Sequence, residues 1–504
     1  MAAGGDADGV FLAYHEPDII NILTLISFFL LLALSDWLAD KIFRAGLIGQ
    51  IIIGLIYGAP LADILEVNWQ ETFLVLGYVG LLLIIFEGGL TIRLDLLRQN
   101  FLLSIAAALL GVLTPIALSF ALLYAGFGHA PLEAFIVGTA LCSTSLGTTF
   151  VVINSASKDT DYSQTRIGTV LISAAVLDDV CGLVLVSVIH QLRGIAEDGD
   201  ASLGWIIGRP ILASGLLALL TPLIAKFVAG PLFRRFLEKS LVKFKHISNI
   251  LLMTVVMCAF LAISAFAGAS MLFGAFLAGA FLSSLPSKER GPAAAQRDDG
   301  LEETRIVTFV GTFEHYLSDP QRFILQPLFF ASIGFAIPFV ELWTKEVIWK
   351  GVVFTILMVF SKLVVGLVIP VWDMISAVRS SKSAPPASDK ISARKAAIAS
   401  WAPATLLGTA MVARGEIGLL IIQIGLNETP FLTRKAFVIG VWAVVLNTII
   451  GPVSVGVLLK KVGSRIASDK AWGIQSKPQE IDFESVILPE QSSQGPTRSG
   501  GGRK

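Results

Sequence analysis

The chain has 504 residues, 54% of them hydrophobic and only 15% charged, with 38 basic and 38 acidic side chains and a mean hydropathy of +0.76. That balance excludes an ordinary soluble globular protein, where about a quarter of residues are charged, and no stretch is long and polar enough to form a separate soluble domain. Cys142, Cys181 and Cys258 all fall in apolar stretches, where a free thiol behaves as a small hydrophobe, and there is neither metal-ligand spacing nor a disulfide framework.

The first 18 residues are polar and acidic (Asp6, Asp8, Glu16, Asp18). They lack the basic n-region and cleavage site of a removable signal peptide. Apolar runs long enough for a bilayer then follow at about 19–40, 46–64, 72–91, 101–126, 131–154, 165–190, 204–228, 247–267, 270–285, 322–343, 347–374, 397–426 and 434–459. This predicts an all-α polytopic membrane protein with about 13 transmembrane helices, its membrane domain spanning 19–460. Residues 286–320 are expected to form a cytoplasmic loop, within which Leu301 to Tyr316 can make a short interfacial helix. Residues 461–504 are polar and glycine-rich toward their end, the composition of a disordered tail. No strand, glycine-rich turn and helix follow one another, so no nucleotide-binding domain is expected. Trp37, Trp205, Trp343, Trp349 and Trp372 sit near span ends, as interfacial anchors do.

Placing the N-terminus outside puts 30 Lys and Arg residues in inner loops and six in outer ones, while Lys362 and Arg414 fall inside spans. That positive-inside bias predicts an N-out, C-in orientation. The spans also repeat. Gly49–Gly54 resembles Gly274–Gly279, Phe86-Glu-Gly-Gly89 takes the place of Phe330–Gly334, and Ser143-Thr144-Ser145 has its counterpart in Arg414-Gly415-Glu416. These pair the second span with the ninth, the third with the tenth and the fifth with the twelfth. An odd offset makes the two halves run in opposite directions, the inverted-repeat signature of secondary transporters.

One span in each half cannot be a regular apolar helix. Leu141 to Thr149 places five hydroxyls and a glycine at mid-depth, and Thr409 to Gly418 places a base, an acid and two glycines there. Backbone breaks at that depth only where it lines a cavity or is buried in protein. Two broken helices would aim half-helix ends at each other, and Arg414 and Glu416 can offset those dipoles. The alternative is a packed helix whose Ser and Thr side chains bond back to the preceding turn.

Between these breaks, Asp178 and Asp179 stand side by side in an apolar run from Leu171 to Ile189. If that helix starts near Thr165, the pair lies about 20 Å along it, close to the middle of a bilayer about 30 Å thick. Acids at that depth mark function by default, and two adjacent carboxylates make a place where a proton and a cation compete. Hard oxygen ligands suit Na⁺, Li⁺ or K⁺.

Together, Leu47–Pro60, Phe86-Glu-Gly-Gly-Leu90, Ser143–Gly147, Leu177-Asp-Asp-Val180, Gly274–Gly279, Pro327–Gly334 and Ala413–Gly418 resemble the monovalent cation:proton antiporter superfamily. The similarity runs from roughly Ile19 to Leu459, and within the superfamily it points to the NapA/Kef-like branch of the sodium/hydrogen exchangers. The resemblance implies an NhaA/NapA-like antiporter fold of two inverted repeats with broken crossing helices. A core bundle would slide against a dimerisation bundle, so a homodimer in the lipid bilayer is expected. It implies a transporter rather than an enzyme, with no cofactor besides the transported H⁺ and Na⁺ or K⁺ and no nucleic-acid partner. By position, Asp179 matches the carboxylate that alternates between proton and cation. Asp178 matches the partner acid that pairs with a lysine, and Lys362 sits where that lysine is expected. Thr144 and Ser145 match the crossing and could supply ligands, while Arg414 and Glu416 match the charged break of the second repeat. Glu87 receives no role. An acid at Asp178 with Lys362 favours electrogenic exchange of more than one proton per cation.

Other readings compete. Asp178 and Asp179 could be a structural pair held by Lys362 and Arg414, and Lys362 could instead snorkel to an interface. A Na⁺-coupled organic-anion symporter shares such a fold but would need an anion-sized cavity with more amide or guanidinium groups. A cation channel or transport-dead sensor would need, for the channel, a continuous polar pore, whereas the polar residues here concentrate at one depth.

Overall fold

The computed structural model describes residues 14, 16–92, 100–145, 165–197, 203–233, 235, 238–285, 308–383, 398, 400–467, 469 and 471–473. Among these, all regular structure is helical. Helices α1 (Ile19–Phe43), α2 (Gly46–Tyr57) and α3 (Val67–Leu90) are followed by α4 (Phe101–Ser119), which runs on in a wider turn to Gly126, and by α5 (Pro131–Ala140). Then come α6 (Arg166–Glu197), α7 (Leu203–Ile224), continued helically to Leu232, α8 (Glu238–Ala267), α9 (Met271–Ser283) and the short α10 (Phe309–Tyr316). The remainder is α11 (Gln326–Phe335), entered through a helical stretch from Ser318, α12 (Lys345–Leu363), joined by one 3₁₀ turn to α13 (Val368–Ser383), α14 (Trp401–Ala410), α15 (Glu416–Glu428) and α16 (Arg434–Ala467).

Eight of the described helical segments are long and apolar enough to cross a membrane, and α2, α5 and α9 are shorter apolar helices. Their outer faces carry large exposed apolar side chains, such as Leu212, Phe227, Phe266 and Ile356. In water these would form an apolar patch far beyond what a soluble monomer leaves uncovered; in hydrocarbon they cost nothing. The protein is therefore an integral, multi-pass membrane protein.

Small residues let backbones touch inside this bundle, as is usual where no hydrophobic effect drives helices together. A Cβ on Gly54 of α2 would collide with the Ala331 carbonyl of α11, and one on Gly334 of α11 would strike the Ile51 carbonyl of α2. The same exchange joins α3 to α9: Gly89 lies against the Phe276 carbonyl and Gly279 against the Phe86 carbonyl. These are the glycines of the two repeated sequence pairs, and each crossing joins one helix from the first half to one from the second. Beside them, Phe28 stacks on Phe73 at 5.5 Å and meets Tyr57 at 5.3 Å, fastening α1 to α2 and α3.

Three elements differ from the expectation. The span placed at 270–285 begins with Ser270, whose hydroxyl accepts from the Phe273 N–H at 3.1 Å and so caps α9. At 13 residues that helix is only about 20 Å long. The interfacial helix expected from Leu301 is seen as α10, started by Thr308, whose hydroxyl accepts from Gly311 N–H at 3.0 Å; residues 301–307 lie outside the described residues, as does most of the 286–320 loop. The tail expected to be disordered from 461 is ordered well past that point. The α16 helix continues to Ala467, and Trp472 is fully buried. Its indole N–H donates to Asp373 at 2.9 Å, its carbonyl accepts from Ile167 N–H, and the Arg166 guanidinium stacks 4.6 Å above its ring. A polar composition averaged over the tail conceals a single aromatic anchor, which docks the segment onto the start of α6. Residues beyond 473 lie outside the described residues.

Candidate functional site

The α5 and α14 helices are built alike. Each has ten residues, about 15 Å and so half a bilayer thickness, and each ends in Gly-Thr-Ala, at 138–140 and at 408–410. Each then unwinds through the same two closing hydrogen bonds: Leu141 N–H to Val137 and Cys142 N–H to Thr139 in the first, Met411 N–H to Leu407 and Val412 N–H to Thr409 in the second. Extended backbone follows in both. The two breaks cross, with Ser145 N–H donating to the Ala413 carbonyl at 2.9 Å. The second part of the first interrupted span, including Gly147, Thr148 and Thr149, lies outside the described residues.

Unwinding a helix in a dry interior frees carbonyls that must find donors. Arg414 supplies them: its Nη1 donates to Ser143 O at 2.9 Å and to Cys142 O at 3.3 Å. Its positive charge thus sits at the negative end of α5, while Thr448 of α16 donates to the Arg414 carbonyl at 3.0 Å. Glu416 is the first residue of α15, where a helix N-terminus favours a carboxylate. Both charges therefore occupy half-helix ends, one in each half. They are not paired with each other.

The Asp178 carboxylate is fully buried. Its Oδ2 accepts from Lys362 Nζ at 2.5 Å and from Thr144 Oγ1 at 2.7 Å. Lys362, also fully buried, donates further to the Cys142 carbonyl at 2.5 Å and to Thr144 Oγ1 at 3.1 Å. The lysine reaches inward from α12, so it does not snorkel. Asp179 is rotated about 100° around α6 from its neighbour and meets different groups. It lies near the backbone N–H of Thr144 and within electrostatic reach of Glu416, and it is only partly buried. One oxygen of each aspartate, Oδ1 in both, is shielded and has no hydrogen-bond partner. The structure thus brings Asp178, Asp179, Thr144, Ser145, Lys362, Arg414 and Glu416 into one cluster where the breaks cross. Glu87 is elsewhere, on α3, accepting from Gln321 at 2.8 Å.

Sequence reasoning passed over several contributors. Gly111 of α4 is the floor beneath the ion pair: a Cβ there would lie 3.1 Å from Asp178 Oδ1 and 3.3 Å from Lys362 Nζ. Thr114, one turn on, donates to the Ser361 carbonyl at 3.1 Å and ties α4 to the helix that carries the lysine. Neither residue carried a signal beyond a small or hydroxyl side chain in an apolar span. The matched Gly-Thr-Ala tripeptides did mark where both helices stop, and the hydroxyls and charges that follow them drew more notice.

The family model for the transmembrane sodium/hydrogen exchanger matches residues 25–461. Among curated relatives, the probable Na⁺/H⁺ antiporter GerT of Bacillus cereus is 24% identical over 410 residues, covering 80% of this chain and 90% of its own. The Na⁺/H⁺ antiporter of Enterococcus hirae is 25% identical over 82% of this chain and 92% of its own, and the Na⁺/H⁺-K⁺ antiporter GerN of Bacillus cereus is 24% identical over 83% and 91%. Among solved structures, the sodium proton antiporter MjNhaP1 from Methanocaldococcus jannaschii aligns with a TM-score of 0.59 at 17% identity over 88% of this chain and 98% of that one, a likeness of fold alone. With most of its length matched by that family model, and its membrane helices arranged around two crossing breaks, the chain belongs to the sodium/hydrogen exchanger family.

Proposed function

We propose that the protein is a secondary active antiporter, exchanging a monovalent cation (Na⁺, K⁺ or Li⁺) for protons across a membrane by alternating access. The observation that carries this reading is the cluster at the crossing: an acid held in an ion pair, Asp178 with Lys362, beside a second acid, Asp179, with an unpartnered oxygen. A cation reaching Asp179 takes the place of its proton, so one site never holds both, and exchange is obligatory. Ligand oxygens for the cation come from Asp179, with Thr144 and Ser145 at the crossing. Disturbing Asp178 as the cation binds loosens its hold on Lys362, which can then surrender a proton as well, so that more than one proton moves per cation and the cycle carries charge. No cofactor takes part beyond the transported ions.

Eight long apolar spans, three shorter apolar helices, the Ser318–Phe335 helix and the interrupted pair α14 and α15 support about thirteen crossings, and the excess of Lys and Arg in the inner loops supports an N-out, C-in arrangement. The reciprocal glycine crossings of α2 with α11 and α3 with α9 support two inverted repeats within the 19–460 membrane domain. The assembly in the bilayer is a homodimer, with the crossing helices in the moving bundle. The organic-anion symporter draws nothing from the family or from these three relatives, each described as an antiporter.

Purified protein in liposomes, with an imposed pH gradient and a pH-sensitive dye, tests the reading. Adding NaCl, KCl or LiCl with no organic solute is expected to collapse the gradient at a rate that saturates with the cation, while choline chloride leaves it intact. Proton movement that appears only when an organic anion is supplied would contradict antiport.

A further inference from the structure

We propose that Glu416 is a second carboxylate of the transported-cation site, facing Asp179 across it, rather than only a charge placed at a half-helix end. The inference rests on the antiport reading of the same cluster and extends it to a residue on the other broken helix. Asp178 is occupied by Lys362 and Thr144. Asp179 makes no ion pair with Lys362 among the described residues, and it shares a face of α6 with Gly182, three residues on. One turn along α6 from Asp179, Gly182 packs against the first turn of that helix, where a Cβ on it would lie 3.6 Å from Ile417 Cγ2 and 3.5 Å from Ser143 Cβ. On the other side, Gly415 comes so close to Ser145 that a Cβ on it would be 2.9 Å from the Ser145 hydroxyl. Glu416, the first residue of α15, stands in the chain between the residues that make these two contacts. Glu416 lies within electrostatic reach of Asp179, as Asp178 does.

Two carboxylates opposed in a dry interior repel strongly unless something positive lies between them. Arg414 bonds neither carboxylate: its Nη1 is turned to the Cys142 and Ser143 carbonyls, and its Nε and Nη2 have no hydrogen-bond partner among the described residues. Counting the ionisable side chains of the crossing in their ordinary charge states, three acids (Asp178, Asp179, Glu416) stand against two bases (Lys362, Arg414), leaving one negative charge. A single monovalent cation, or a single proton, neutralises the cluster. Without Glu416 the cluster would already be neutral and would have no electrostatic reason to admit a cation. Two hard carboxylate oxygens on opposite helices, with hydroxyl and carbonyl oxygens of the breaks around them, form a set suited to an alkali-metal ion.

The experiment compares wild type with Glu416→Gln and Glu416→Asp at one fixed pH, with Asp179→Asn alongside. Exchange in liposomes is measured against NaCl and KCl, and cation-dependent thermal stabilisation of the detergent-solubilised protein against the same salts, with choline chloride holding ionic strength constant. Glu416→Gln is expected to raise the half-saturating cation concentration roughly tenfold or more in both assays, and Glu416→Asp, which keeps the charge, to recover much of that loss. A half-saturating concentration unchanged by Glu416→Gln, with Asp179→Asn inactive, overturns this proposal and leaves the antiport site standing. Wild-type exchange in Asp179→Asn overturns the site itself. Where Glu416→Gln folds but does not turn over, the stabilisation midpoint decides in the same way. Where it does not fold, a midpoint in Glu416→Asp displaced severalfold supports the assignment, and one identical to wild type overturns it.

Discussion

Replacing Asp179 with asparagine is expected to abolish cation-driven proton movement, down to the rate of protein-free liposomes, while leaving the protein folded. The side chains are nearly the same size and shape, so packing between α6 and α15 is preserved. What changes is chemistry. An amide carries no charge to hold a monovalent cation and no exchangeable proton to surrender to it, so both halves of the exchange are lost in one substitution. The structure makes the comparison clean, because among the described residues Asp179 makes no ion pair with a base whose loss would unfold the bundle, and its Oδ1 has no partner to forfeit. A folding control by thermal unfolding in detergent should place Asp179→Asn within a few degrees of wild type. Saturable, near-normal exchange in that variant would contradict the assignment.

Lys362→Gln is expected to act on both stability and stoichiometry. The Asp178–Lys362 pair is fully buried on both sides, and removing one partner of such a pair leaves an uncompensated charge that costs about 3–5 kcal/mol. Thr144 continues to donate to Asp178, which offsets part of that cost. Exchange should weaken, and the net charge moved per cycle, read as current on a solid-supported membrane or as sensitivity to an imposed potential, should fall. The double variant Asp178→Asn with Lys362→Gln removes both charges and should unfold at a higher temperature than Lys362→Gln alone, since deleting a whole buried pair costs less than orphaning one member. If Lys362→Gln matched wild type in stability and in charge per cycle, the ion pair would have neither role.

Much of this was legible in the sequence, for reasons that differ by element. Apolar runs announce spans because every lipid-facing backbone group must be satisfied within its own helix, which is why the long helices emerged near their expected positions. The two breaks were legible because charge and hydroxyl at mid-depth have no place on a lipid face. Asp178, Asp179 and Lys362 stood out for the same reason, as expensive groups in an apolar run. What the chain concealed was which group meets which. That Arg414 turns to the carbonyls of the first break, that Glu416 does not pair with it and lies within electrostatic reach of Asp179, and that Gly111 leaves room for the ion pair all depend on contacts between segments far apart in sequence. The internal repeat was legible in its glycines, yet not that Gly54 meets the helix of Gly334 and Gly89 that of Gly279. The buried Trp472 escaped because composition averages over a window, and one aromatic anchor in a polar stretch hardly changes the mean.

Glu416 also sets a condition on any account of stoichiometry. A cluster short of one positive charge is satisfied by one cation or one proton, so every further proton must come from breaking the Asp178–Lys362 pair. Na⁺ and K⁺ selectivity would then depend on how far apart the α6 and α15 carboxylates are held.

The most direct test of competition at one site is proton release on cation binding, measured without transport. Purified protein in dilute buffer with a pH indicator is titrated with NaCl or KCl against a choline chloride control. The account predicts that protons leave as the cation binds, that the apparent affinity falls by about tenfold for each unit the pH is lowered through the competing range, and that the release vanishes in Asp179→Asn. Cation binding that liberates no protons, or a release that persists unchanged without the Asp179 carboxylate, would contradict it.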